Sequence, residues 1–193
     1  MERNIRLSEK LLLAGLSFIF LFMTVQDLVP LGPLNDVQAI AEVRSFNELL
    51  MVTAFGAVQF LLLMGGVIYF MGKRYPIWAR LWLIIHQGSI IVGALFAWWI
   101  PYLFGIGAEQ KVDSYNQMFG NTHSFLPVMN GIVPNTLHTI FHATLFICIL
   151  LTIYISLTGT RKKKQIRTFL PIDCLFFVLA LGFGRRFVVD EGR

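Results

Sequence analysis

The stretch LLMVTAFGAVQFLLLMGGVIYFM, residues 49–71, decides the fold. It contains no Asp, Glu, Lys or Arg. An α-helix rises about 1.5 Å per residue, so about 20 apolar residues cover a hydrocarbon core of about 30 Å. This run meets that length, and three others match it: residues 11–29, 77–104 and 136–157. The composition agrees. Hydrophobic residues make up 56% of the 193, mean hydropathy is +0.67 and only 14% are charged. Soluble domains carry about 25% charged residues. The expected fold is an all-α integral membrane protein: a four-helix transmembrane bundle with two structured outer loops. The first domain covers residues 1–160. Residues 161–193 form a basic cytoplasmic segment and a short tail.

The net charge of +5 does not point to nucleic acid, because the basic residues flank the apolar runs. Arg3, Arg6 and Lys10 precede the first run, and Lys73, Arg74 and Arg80 surround the turn into the third. Arg161, Lys162, Lys163, Lys164 and Arg167 follow the fourth, whereas the two remaining loops hold only Arg44 and Lys111. Cytoplasmic loops carry the excess of Lys and Arg. Both ends of the four-helix unit are therefore expected in the cytoplasm, and both long loops outside. Trp78 and Trp82 at the inner end of the third run, with Trp98, Trp99 and Tyr102 at its outer end, suit the membrane interface.

The start could imitate a signal peptide, but no A-x-A-like cleavage site follows, so an uncleaved first helix is expected. Residues 169–184, FLPIDCLFFVLALGFG, form a fifth, shorter apolar run containing Pro171 and Asp173. A membrane-associated or re-entrant tail is expected there rather than a span, because Arg185 and Arg186 would otherwise lie outside. Cys148 and Cys174 lie in apolar stretches without a CxxC partner and read as small buried residues. Ser89 with Gly93, and Thr139 with Ala143, form small-xxx-small pairs that let membrane helices approach. They suit contact within one chain and, as the alternative, a homodimer or larger membrane complex.

Candidate ligands gather on the outer side. The first outer loop contains Asp36, Glu42, Arg44 and Glu48, and the second contains His123. His138 and His142 open the fourth run at helical spacing, about 5–6 Å apart between Cβ atoms. Two such imidazoles can share one ion, but zinc needs a third ligand and usually a fourth. His123, Asp36, Glu42 and Glu48 are the candidates. HTIFH lacks the Glu of HExxH, so the metalloprotease base is missing from its usual place. The competing reading is a hydrogen-bonded pair that caps and locks the loops. Deeper in the membrane, Gln59, His86 and Gln87 are expected to share an interior polar network.

At WWIPYLFG, YNQMFGNTHSFLPVMNGIVPNTLH and LVPLGPLNDVQAI the chain resembles a group of small uncharacterised bacterial multi-pass membrane proteins, over about residues 28–157. The resemblance implies a bacterial cytoplasmic membrane and supports the boundaries; it carries no activity. The HxxxH is also superficially similar to the last motif of seven-helix zinc amidases and ceramidases. This chain lacks their helix count and their Ser-x-x-x-His element. Three functions stay open. The first is a membrane protein that binds an ion or small ligand at its outer mouth. The second is a zinc-dependent hydrolase of a lipid-like substrate. The third is a non-catalytic membrane partner or immunity-type subunit.

Overall fold

The computed structural model describes residues 4–158. The expected basic segment and the apolar run at 169–184 lie outside those residues. Among the described residues the chain is all-helical, without strands. Six helices matter here: α1 (Leu7–Val25), α2 (Val37–Val43), α3 (Phe46–Phe70), α4 (Ile77–Phe104), α5 (Glu109–Phe119) and α6 (Thr136–Thr158). Of these, α1, α3, α4 and α6 are long and apolar enough to cross a membrane.

The long helices are nearly uniformly apolar, so packing selects which stripe turns inward. Helix α1 buries Leu12, Leu16, Ile19 and Phe22, and α3 buries Leu49, Thr53, Phe60, Leu63 and Val67. Helix α6 adds Phe141, Leu145, Cys148 and Ile149. Only 28% to 33% of the four spanning windows is buried. The outward faces stay apolar, with Leu21, Leu61, Ile68 and Phe146 all exposed. Water would not tolerate so large an apolar surface, and hydrocarbon does.

Helix α1 packs against both α3 and α6, and α6 packs against α4. Helices α3 and α4 touch only sparsely, although a short turn joins them. Arg6 of α1 donates through Nη1 to Thr158 Oγ1 at 2.7 Å, and Arg80 of α4 donates to the Ser156 carbonyl at 3.0 Å. Both ends of the described chain therefore meet at one end of the bundle. The two long loops, with α2 and α5, cover the other end, called the capped end below.

Local chemistry sets the boundaries. Helix α1 runs over Leu7–Val25 rather than residues 11–29. The Glu9 carboxylate accepts the Arg6 N–H at 2.9 Å and fixes an earlier start. At the other end, Asn35 ties the chain after α1 into a turn. Its amide donates to the carbonyls of Gln26 and Val29, at 2.7 and 2.8 Å, and its Oδ1 accepts the Leu31 N–H. The stretch QAIAEVRSFNELL, residues 38–50, is split between two helices. Ser45 caps α3, and Glu48 reaches back to the Ser45 N–H at 2.9 Å. This reciprocal capping box stops α2 at Val43 and starts α3 at Phe46. The interior network expected of Gln59, His86 and Gln87 also takes another form. Gln87 Nε2 donates across to Thr152 Oγ1 and back to the Leu83 carbonyl, both at 3.0 Å. The His86 ring nitrogens are buried without a hydrogen-bond partner.

Helices α1 and α6 approach closely at Gly15. A Cβ added there would lie 2.5 Å from Cys148 Sγ. Gly15→Ala should therefore lower stability by about 1–3 kcal/mol, the usual cost of overpacking. Cys148→Ala in the same chain should recover most of the loss. Thermal unfolding of the three variants in detergent checks this. Equal melting of the wild type and Gly15→Ala would mean that the helices do not meet there.

Candidate functional site

The capped end is organised by a defect in α4. Its turn at Leu95–Trp99 is a π-turn, in which the Ile100 N–H donates to the Leu95 carbonyl. In α-helical register that donor would serve Phe96. The next residue, Pro101, has no N–H to give Ala97. The carbonyls of Phe96 and Ala97 thus lose their ordinary partners, and backbone left unpaired in an apolar setting is costly.

Helix α5 supplies the replacement. Lys111 Nζ donates to the carbonyls of Phe96 and Ala97, at 2.9 and 3.2 Å, and the Tyr115 hydroxyl donates to Ala97 at 2.9 Å. Lys111 and Tyr115 are four residues apart, so they share one helical face. Burial lowers the Lys111 pKa and pushes Tyr115 up to about 12, the latter opposed by the Arg44 charge. The tyrosine hydroxyl therefore keeps its donating proton at every physiological pH.

This anchoring presses α5 onto the end of the bundle. The Trp98 ring lies 4.5 Å from Tyr115, 5.1 Å from Phe119 and 4.6 Å from His138 between centroids. Phe22 adds an edge at 6.0 Å from His138. The adjacent Trp99 turns to the second histidine. Its Nε1–H donates to His142 Nδ1 at 3.1 Å. The two imidazole centroids are 6.1 Å apart.

These bonds fix where each imidazole carries its hydrogen. Indole is only a donor, so His142 Nδ1 must be a lone pair and its Nε2 must bear the hydrogen. His138 is the reverse. Asn135 Oδ1 accepts the His138 backbone N–H at 2.9 Å, which fixes the amide orientation, and it lies 2.8 Å from His138 Nδ1. An oxygen that only accepts requires Nδ1 to carry the hydrogen, leaving His138 Nε2 as a lone pair. Neither Nε2 has a hydrogen-bond partner among the described residues. His142 is buried and His138 half-buried.

The other expected ligands go elsewhere. Asp36 caps α2 by accepting the Ala39 N–H at 3.0 Å. Glu48 is occupied in its capping box, and Glu42 is exposed on α2. His123 is exposed. Its Nδ1 lies 2.8 Å from Thr136 Oγ1, and its backbone N–H donates to the Pro33 carbonyl at 2.6 Å. It stitches the two loops to the start of α6. Among the described residues no three His, Cys, Asp or Glu side chains are grouped to hold a metal ion. Arg44 exerts its charge on Asp27 and Tyr115. Burial raises the Asp27 pKa, and Arg44 opposes that rise.

The loops do pack on each other. Ile40 of α2, Leu49 of α3 and Met118 of α5 form one buried cluster with Leu28, Tyr115 and Phe119 against it. The partners that sequence reasoning missed are Trp98 and Trp99, read as interface aromatics, and Lys111, read as a stray loop cation. The signal was WWIP: a proline inside an apolar helical run frees a carbonyl one turn back, and some donor must meet it. Compared with known proteins, the chain matches no family model, no curated protein and no solved structure.

Lys111→Met should cost about 1–3 kcal/mol, because it removes the charged donor that two backbone carbonyls share. Tyr115→Phe, which removes one bond, should cost less. Thermal unfolding in detergent checks the order, and tryptophan emission should shift to the red in Lys111→Met as Trp98 loses its cover. Unchanged melting in Lys111→Met would show that the π-turn does not depend on α5.

Proposed function

We propose that this chain is a multi-pass membrane protein, with both bundle termini cytoplasmic, that binds one small uncharged hydroxyl-bearing molecule at its outer, capped mouth. One observation carries the reading: the complementary, unpartnered Nε2 atoms of His138 and His142. Around them the polar groups are used internally. Asn35, Asn135, Asp36, Glu48, Lys111 and Tyr115 all bond within the protein. The Nε2 of each ring has no partner among the described residues, which leaves one acceptor and one donor open to a ligand or water.

The chemistry of the pair selects the ligand. His138 Nε2 accepts and His142 Nε2–H donates. A hydroxyl does both. A carboxylate only accepts, and a metal ion needs lone pairs from both rings. A metal-bound histidine normally donates its other N–H to an acceptor. Here the other nitrogen of His142 faces the Trp99 N–H, so metal binding would set two donors against each other. The hydrolase reading would need that rearrangement plus a base near a metal-bound water. A second reading, a non-catalytic membrane partner, is supported by the internal use of Asn35, Asp36 and Glu48.

Thermal unfolding in detergent separates these readings. A panel of small neutral alcohols and polyols should include compounds that raise the melting temperature. A ligand at ten times its dissociation constant adds about 1.4 kcal/mol. The effect should vanish in His142→Phe. Zinc chloride should leave the melting temperature unchanged. Stabilisation by zinc that depends on His142 would overturn the hydroxyl reading in favour of a metal, and no response to any compound would favour the partner reading.

A further inference from the structure

The second long loop carries charge only at its start. Glu109, Lys111 and Asp113 lie in α5, and no Asp, Glu, Lys or Arg occurs from Ser114 to Thr160. The first long loop, by contrast, carries Asp36, Glu42, Arg44 and Glu48. The two loops at this end of the bundle therefore differ in charge, although the second is still rich in Asn, Ser and Thr.

The uncharged loop ends in a rigid hairpin. Met129 and Ile132 exchange two backbone bonds of 3.0 Å. Asn130 and Gly131 between them have φ of 52° and 76°, as a type I′ turn requires. The hairpin is bolted to the end of α4. The Tyr102 hydroxyl donates to the Pro127 carbonyl at 3.0 Å, and the Asn130 amide donates to the Tyr102 carbonyl at 2.8 Å. Ile132 is fully buried beside Trp98 and Ala108. A turn held this firmly nevertheless points apolar side chains outward. Phe125 is 58% exposed and Val128 66%. Phe104 and Ile106, at the end of α4, are 70% and 68% exposed. Phe104 closes a helix long and apolar enough to span, so the patch continues that helix's outward apolar surface.

We infer that the hairpin at residues 125–132, with Phe104 and Ile106, is a membrane-contact element that lies in the lipid interface at the capped end, while α2 stands in water on the other side of the mouth. The inference rests on the membrane reading above. An apolar surface that is rigid, uncharged and continuous with a spanning helix fits the boundary between headgroups and acyl chains. The mouth then has a lipid side and a water side.

The test uses the full chain with Cys148→Ala and Cys174→Ala, reconstituted in vesicles of phosphatidylcholine and phosphatidylglycerol. An environment-sensitive NBD label is placed singly at Val128→Cys, Glu42→Cys or Leu61→Cys. A lipid spin label near the headgroup should quench position 128 about twofold or more over position 42, as interfacial burial requires. Aqueous iodide should quench position 42 in preference to 128. A spin label deep in the acyl chain should quench position 61. If iodide quenches 128 as it does 42 while 61 still responds to the deep label, the membrane reading stands and the inference falls. If 61 ignores lipid quenchers, both fall together. If 128 responds to neither iodide nor lipid, a protein surface covers it, and the inference is overturned in favour of a second copy or partner.

Discussion

Two backbone carbonyls organise the capped end. The π-turn at Leu95–Trp99 and the missing N–H of Pro101 deprive Phe96 and Ala97 of their ordinary donors. A helix in an apolar setting cannot leave them bare. Lys111 and Tyr115 reach in from α5 and satisfy both. Once α5 is held there, its Phe119 and Tyr115 rings meet Trp98, and Trp98 meets His138. The loop that carries α5 then has little freedom, and the remaining contacts follow. A backbone irregularity in one helix is thus converted into the position of a second helix and of a histidine on a third.

That chain of contacts also accounts for the differing chemistry of the two histidines. They lie one turn apart on α6 but face different neighbours. His138 is served by Asn135, the residue just before its own helix, and His142 by Trp99 across the interface. One neighbour can only accept and the other can only donate. The rings are therefore driven into opposite tautomers. The result is one ring with an open acceptor at Nε2 and one with an open donor there.

The architecture was legible in the sequence because hydrophobic length is a local property. Four runs, their approximate ends and the gathering of polar residues in two loops could all be read from residue type. The start of α1 was misplaced by a turn, because Ser8, Glu9 and Lys10 look like a polar leader until Glu9 closes on the Arg6 N–H. The site was only half legible. His138 and His142 stood out by spacing, but whether a neighbour donates or accepts depends on contacts such as that of Trp99 with His142, forty-three positions away. Asp36 and Glu48 looked like ligands because a carboxylate is the same letter whether it binds an ion or caps a helix. Each sits at a helix start, where capping is the ordinary use of that residue.

The central claim is the pair of opposite tautomers, and nitrogen NMR reads it directly. The protein is prepared with ¹⁵N only in histidine, and the His142 signals are assigned by their loss in His142→Phe. The structure requires His142 to carry its hydrogen on Nε2 with Nδ1 unprotonated, and His138 to carry its hydrogen on Nδ1. A hydrogen on His142 Nδ1, or the shift of a metal-bound nitrogen at His142 Nε2, would contradict the account.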